Sequence, residues 1–367
     1  MRTSPLIISI ILTINIIFVR GEIIAQSNSS ADMDTVLKVE RIEEIQFNSK
    51  HFEITGNLYL PNINTLSKHP LVIWVSGSGP SYRAVQTNQS RALINCFLES
   101  GIAYFRIDKP GYGDSKGEVF DDSLFDQLSG IVVDAINTLK KHPQINPKQI
   151  GLLGSSQAGY IMPLVTTKTK DVSFIMGSSC PGENSIEQWN YLIEKQMICE
   201  GYSEAVAKKN VEMFSALRTT ADKQKFDEAI NYFEENPMII KSVNYDSGFV
   251  SKARKWWPRE IDLNDESHFN PITIIEKIKI PIFMVYGEND TQIDPHQAYD
   301  SYMKALKKAD NPFYKIEMLP GVDHNMSITT TGCLKEITEL NKAGTYKYSP
   351  RYFEIIRSWI RMVICGQ

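Results

Sequence analysis

No two cysteines in the chain are spaced C-x-x-C, and no two histidines are spaced H-E-x-x-H. The common sequence signatures of a built metal site are therefore missing. The six histidines and five cysteines are scattered, and neither a metal nor another cofactor is expected. Charge of one sign is also lacking: 39 Lys and Arg stand against 43 Asp and Glu, a formal net charge of −4. That balance argues against nucleic acid or an anionic membrane surface as a partner. There is no internal repeat and no low-complexity tract. No apolar run reaches the about 20 residues that a helical membrane span requires.

The nearest approach to such a run is Leu6 to Val19. Arg2 precedes it, and Ala25-Gln26-Ser27 offers a small-residue cleavage site behind it. Residues 1–27 thus read as a signal peptide, or as a retained anchor if Arg20 and Glu22 spoil the cleavage region. The run is apolar all round, which excludes an amphipathic surface helix, and the segment has no cysteine to carry a lipid. An exported chain is expected, periplasmic or extracellular, without a stable membrane span after processing. Export permits disulfides. The odd cysteine count leaves at least one of Cys96, Cys180, Cys199, Cys333 and Cys365 without an intramolecular partner, and spacing does not fix the pairing.

What is present is the alternation of an α/β protein. Residues 28–38 are polar and read as a linker. Val39 to Leu60 alternates apolar and polar around a break at Asn48 to His51, which predicts an antiparallel strand pair. Leu71 to Val75 and Ile102 to Ile107 are continuous apolar strands of the kind buried in a parallel sheet. Asn88 to Glu99 and Leu124 to Lys140 are helical between them. After Val172 to Met176 the alternation stops. Helical stretches follow at Ile186 to Glu200, Ser203 to Leu217 and Asp222 to Glu235. Strands and helices alternate again from Ile272 to a terminal helix at Arg351 to Val363, with 327–349 read as a threonine-rich loop. This divides the chain into a first core segment (39–180), a helical cap insertion (181–270) and a second core segment (271–367). Trp256-Trp257-Pro258 would either line an acyl pocket or clamp the cap onto the core.

The chain is organised around Gly151-Leu152-Leu153-Gly154-Ser155-Ser156-Gln157-Ala158-Gly159. An apolar strand ends at a glycine, and a serine sits on a sharp turn into a helix. Such a turn strains the serine backbone and projects its hydroxyl above the sheet. It admits only small residues two places before and after the nucleophile. Gly154 and Ala158 meet that condition for Ser156. For Ser155 the same places hold Leu153 and Gln157, which would clash.

Two candidate partners follow in the order acid, then histidine. Asp290 closes the stretch Ile280 to Asp290, a buried-type strand followed by a polar turn, and His324 follows the strand Phe313 to Leu319 and a Pro320-Gly321 turn. Each is placed just past the carboxyl end of an expected strand, the edge where open α/β sheets bind ligands. Asp294 is a rival acid in the same loop; Asp323 is better read as a turn residue. Asp108, Lys109 and Asp114 are read as structural groups beside the site.

These motifs resemble the α/β-hydrolase superfamily, and more narrowly the EstD-like bacterial esterases grouped with serine aminopeptidase-type hydrolases. The resemblance runs from about Ile42 to Ile360. It rests on Ser76-Gly77-Ser78-Gly79-Pro80, Arg106 to Ser115, the elbow, Gly287 to Gln292, and Leu319 to His324, together with Thr331-Gly332-Cys333 and Ser349-Pro350. Two departures stand out: the group has histidine where Ser76 stands, and a Gln-Asp-Arg-Asp run where Ser81-Tyr82-Arg83-Ala84 stands. The resemblance implies an α/β-hydrolase fold: a mostly parallel central sheet, helices on both faces and an inserted helical cap. It also implies a serine esterase acting on a small-molecule ester, with catalytic residues Ser156, Asp290 and His324. The oxyanion donors would be the backbone N–H groups of Gln157 and Ser78. A peptidase of the related kind would need a carboxylate for the substrate amine, for which the cap offers Glu183 and Glu187. A non-catalytic binding protein on the same scaffold would show a degraded triad, and none of the three residues is missing.

Overall fold

A computed structural model describes residues 36–62, 68–85, 87–119, 123–242, 248–255, 257, 266–364 and 366. The expected leader, most of the linker, Trp256, Pro258 and Cys365 lie outside the described residues. The chain opens with β1 (Val39–Ser49) and β2 (Phe52–Pro61), joined by a tight turn in which Lys50 adopts φ +52°. Then come β3 (His69–Val75), α1 (Asn88–Leu98), β4 (Ala103–Ile107), α2 (Leu124–Leu139), β5 (Ile145–Ser155), α3 (Ala158–Lys168) and β6 (Val172–Ser178). Helices α4 (Ser185–Cys199), α5 (Glu204–Thr219), α6 (Lys223–Glu235), α7 (Pro237–Ser242) and α8 (Phe249–Arg254) follow. The chain closes with α9 (Ile272–Ile275), β7 (Ile282–Gly287), α10 (Pro295–Lys308), β8 (Tyr314–Leu319), α11 (Leu334–Lys342) and α12 (Pro350–Trp359).

The eight strands form one sheet in the order β1-β2-β4-β3-β5-β6-β7-β8. β2 runs antiparallel to both its neighbours, and β4, β3, β5, β6, β7 and β8 are parallel. Because successive strand residues face opposite ways, the sheet builds two cores. Leu71, Ile73, Leu152, Ile282 and Met284 pack with α2, α3 and α10 on one face. Val72, Leu153, Phe283 and Val285 pack with α1 and α12 on the other. Trp359 of α12 sits against Phe174 and Phe283 there, each at a ring separation of 5.8 Å.

Helices α4 to α8 have a third core of their own, built on Ile193, Phe214, Leu217, Phe226, Ile230, Phe233 and Phe249. Their starts are capped as their sequences dictate: the side chains of Asn184, Ser203 and Asp222 accept N–H bonds from the first turns of α4, α5 and α6. Trp257 packs on Phe226 at 5.2 Å within this third core. The stretch 327–349 is not all loop. It contains α11, whose Glu336 carboxylate gathers the N–H groups of Thr330, Thr331 and Gly332 in the segment before the helix. No residue of α11 is buried.

Candidate active site

The turn after β5 has the predicted geometry at Ser156. Its φ is +56°, in the left-handed region, whereas Ser155 remains in the strand. A non-glycine residue there stores strain of about 1–3 kcal/mol. A Cβ on Gly154 would lie 2.4 Å from the Ala158 Cβ and 2.7 Å from the Val75 carbonyl oxygen. A Cβ on Gly159 would lie 2.7 Å from the Cys180 Cβ. Glycine at 154 and 159 and a small residue at 158 are thus steric necessities of the turn.

Asp290 and His324 meet directly: His324 Nδ1 lies 2.8 Å from Asp290 Oδ2. The other Asp290 oxygen accepts the N–H groups of Gln292 at 2.8 Å and Ile293 at 2.9 Å. Burial alone would lower the His324 pKa, but the charge and hydrogen bond of Asp290, helped by Asp323, hold it above the ordinary imidazole value. Asp294 does not join this pair. It caps α10, accepting the N–H groups of His296 and Gln297, each at 3.0 Å. Asp323 accepts the N–H groups of Asn325 and Ser327 and the hydroxyl of Tyr346, and so shapes the turn that carries His324.

The end of β6 connects the elbow to that turn. The Ser156 N–H donates to the Ser178 carbonyl at 3.0 Å. Next along the chain, Ser179 (fully buried, φ +49°) donates its hydroxyl to the His324 carbonyl at 2.9 Å. Sequence reasoning missed Ser179. Its only signal is a polar pair, Ser178-Ser179, closing an apolar strand.

The loop after β3 lies against the elbow: a Cβ on Gly77 would sit 3.1 Å from the Ser155 carbonyl oxygen and 3.4 Å from the Ser156 Cβ. Ser78 is the next residue of that loop, and Gln157 begins the turn into α3. Buried Lys109 holds the loop from behind, donating to the carbonyls of Gly77 at 3.0 Å and Gly79 at 3.3 Å. Desolvation pushes its pKa down to about 8. Arg83, in the segment that departs from the EstD-like pattern, binds Asp108 through its backbone N–H at 2.7 Å and its guanidinium at 2.8 Å. These bonds support the loop despite the different sequence.

Helix α4 is fastened to the acid loop. Tyr191 donates to the Asp290 carbonyl at 2.9 Å and Gln188 to the Gln292 carbonyl at 2.9 Å. Cys199, the last residue of α4, forms a disulfide with Cys333, and Thr291 donates to the neighbouring Gly332 carbonyl at 3.1 Å. Cys96 and Cys180 are free and buried, and burial pushes both thiols up to about 12. Among the described residues no group of three or more metal-ligating side chains is placed to hold an ion, and no helix is long and apolar enough to cross a membrane.

Comparison with known proteins agrees with the fold. The Pyrococcus furiosus esterase Pf2001 superposes with a TM-score of 0.51 at 14% identity, over 88% of this chain and 90% of that one. Est1E of Butyrivibrio proteoclasticus, solved with ferulic acid bound, gives a TM-score of 0.49 at 15% identity, over 88% of this chain and 99% of that one. A candidate dipeptidyl aminopeptidase IV of Bacteroides ovatus gives 0.48 at 16% identity; 86% of this chain covers only 35% of that longer one. At these identities the likeness is one of fold. No curated protein matches the chain. The family model described as "BAAT / Acyl-CoA thioester hydrolase C terminal" matches residues 133–331, more than half of the sequence, a span that includes Ser156, Asp290 and His324. The chain therefore belongs to that hydrolase family, within the α/β-hydrolase superfamily.

Proposed function

We propose that the protein is a serine hydrolase that cleaves carboxylic esters of small or medium acyl groups through an acyl-enzyme. One observation carries the reading: a serine held at φ +56° on a strand-to-helix turn, joined through the end of β6 to a histidine that is hydrogen-bonded to a buried carboxylate. In this reading His324 takes the Ser156 proton as Oγ attacks the acyl carbonyl. Asp290 fixes the imidazole tautomer and stabilises the imidazolium. The N–H groups of Gln157 and Ser78 hold the tetrahedral oxyanion, and losing one such donor costs about 3 kcal/mol of transition-state stabilisation. The protonated histidine returns its proton to the leaving alcohol, and water then releases the acid. A thioester would react by the same steps with a thiol leaving group, and the family description makes it a natural second substrate type.

The reading includes export, supported by the Cys199–Cys333 disulfide. Mass spectrometry of the native protein should find the mature start near residues 22–28; an intact Met1 on a cytoplasmic form would refute it. For the chemistry, a panel of p-nitrophenyl esters from acetate to laurate and of amino-acid amides is the test. Turnover of short and medium esters that is lost in Ser156→Ala supports the reading. Turnover of amides alone would replace it with a peptidase.

A further inference from the structure

Lys109 is a buried cation whose contacts are all with neutral oxygens. It is 7% exposed. Its ammonium donates to the carbonyls of Gly77 at 3.0 Å and Gly79 at 3.3 Å, and faces Oε1 of Gln157 at 3.5 Å. The acid next to it in the chain, Asp108, is engaged elsewhere. That carboxylate accepts the backbone N–H and the guanidinium of Arg83 and the N–H of Asp114. Burial alone acts on the Lys109 ammonium, and no charge among the described residues offsets it. A buried charge without an opposite charge is costly. The main chain fixes where this one points: the Lys109 N–H donates to the Ser81 carbonyl at 2.9 Å, and the Lys109 carbonyl accepts the Tyr112 N–H at 2.9 Å.

The oxygens around the ammonium belong to the two segments that carry the proposed oxyanion donors. The Gly77 carbonyl and the Ser78 N–H are the two ends of one peptide unit. In a planar trans peptide they point in opposite directions. An ammonium held on the carbonyl therefore fixes the Ser78 N–H on the side away from Lys109. A cation at the carbonyl also draws electron density from the amide and makes its N–H a stronger donor, as bonds in a hydrogen-bonded chain polarise one another. The Gly79 carbonyl leads into Pro80, which has no N–H, so that contact anchors the loop and adds no donor. Gln157 supplies the other backbone donor, and its side chain faces the same ammonium. Gly77 in turn packs on the elbow, where a Cβ would lie 3.4 Å from the Ser156 Cβ.

We propose that Lys109 is a positioning residue of the oxyanion hole: it aims and polarises the Ser78 N–H through the Gly77 carbonyl, and its unbalanced charge is met when negative charge develops on the substrate oxygen. This rests on the reading of Ser156 as the nucleophile with Ser78 and Gln157 as the oxyanion donors. Burial pushes the ammonium down to about 8, so it keeps its proton at neutral pH. The residue thus does more than hold the loop: its effect is largest in the transition state, where the oxyanion exists, and small in the bound substrate.

The test uses Lys109→Met, which keeps an unbranched apolar stem and removes the charge, and Lys109→Gln, which keeps N–H donors without the charge. Two inhibitors separate the transition state from ordinary binding. An alkyl trifluoromethyl ketone adds to a nucleophilic serine and forms a tetrahedral oxyanion, whereas the matching methyl ketone stays trigonal and reports binding of the same chain. The ratio of their inhibition constants measures oxyanion stabilisation. Lys109→Met should lower the preference for the trifluoromethyl ketone by about tenfold, less than for loss of a donor itself, because the Ser78 N–H remains. With a p-nitrophenyl ester, kcat should fall by a similar factor while KM changes less than about twofold. Lys109→Gln should shift both readouts in the same direction. A residue that only holds the loop would, when replaced, weaken both ketones together and raise KM. That outcome, or a wild-type preference in both variants, would overturn the proposal and leave the hydrolase reading standing. Failure of both variants to fold, seen by circular dichroism, would assign Lys109 to the fold and overturn it as well. A wild type that neither hydrolyses the ester nor prefers the trifluoromethyl ketone would overturn the hydrolase reading too.

Discussion

The hydroxyl of Ser179 donates to the main-chain carbonyl of His324 at 2.9 Å, while the adjacent Ser178 carbonyl accepts the N–H of Ser156 at 3.0 Å. Two consecutive residues at the end of β6 therefore set the elbow and the histidine turn relative to each other. Ser179→Ala removes one of these links and leaves a buried carbonyl with one acceptor bond fewer. The expected cost is about 1 kcal/mol of stability, with a fall in kcat and little change in KM, because positioning errors of about 1 Å are felt in the chemical step. Steady-state kinetics and thermal melting of this single variant check it.

Helix α4 reaches the acid loop through Tyr191 and Gln188, and the Cys199–Cys333 disulfide closes the same junction across a sequence separation of 134. Replacing both cysteines by serine should lower stability by about 2–5 kcal/mol, the usual cost of losing a native disulfide. Because the junction bears on Asp290, the variant should also lose turnover at temperatures where it remains folded. Kinetics at 15 °C beside a denaturant melt separate the two effects. A stability loss with unchanged turnover would confine the disulfide to a structural role.

The two acids of the loop are separable in the same way. Asp290→Asn should lower turnover by about 10⁴-fold, because an amide stabilises the wrong imidazole tautomer and carries no charge for the imidazolium. Asp294→Asn should leave turnover near the wild-type value, since asparagine also caps helices well; Asp294→Ala should cost about 1 kcal/mol of stability. Large turnover loss in Asp294→Asn with normal activity in Asp290→Asn would move the acid to Asp294.

Much of this arrangement was legible in the sequence. The small residues around Ser156 identified the strained serine because the turn's steric demands are largely local: the clashes that forbid a Cβ at Gly154 involve Ala158, four positions on, and Val75 on the adjacent strand. Most strands and the helices α4, α5 and α6 followed from apolar periodicity, and the structure shows Asn184, Ser203 and Asp222 capping those helices. Ser179, Lys109 and Tyr191 acquire their roles only from contacts between segments 32 to 145 positions apart, which no local pattern encodes. The same is true of the disulfide. Helix α11 has Leu334, Ile337 and Leu340 at helical spacing; it is short and lies inside a polar, threonine-rich stretch, and was read as loop for that reason.

The pH profile carries two signatures. Against burial, the charge and hydrogen bond of Asp290 together with the charge of Asp323 raise the His324 pKa, and in the proposed mechanism the histidine must be neutral to accept the Ser156 proton. The acid limb of kcat/KM should therefore lie above the free imidazole value of about 6.5 and move downward in Asp290→Asn. For stability the sign is the same: the pairing contributes fully below the unfolded imidazole pKa and is lost as pH rises through the raised value. Lys109, pushed down to about 8 by desolvation, loses its charge above that pH and with it the strength of its bonds to Gly77 and Gly79. An alkaline limb near there is expected, and Lys109→Arg, which stays charged, should move it upward if the guanidinium is accommodated.

The central claim is that Ser156, and not its neighbour, is the acylated residue. The most direct measurement is to treat the protein with a fluorophosphonate, digest it and locate the adduct by mass spectrometry in wild type, Ser155→Ala and Ser156→Ala. The account predicts one adduct on Ser156, kept in Ser155→Ala and absent in Ser156→Ala. An adduct on Ser155, or labelling that survives in Ser156→Ala, would contradict it.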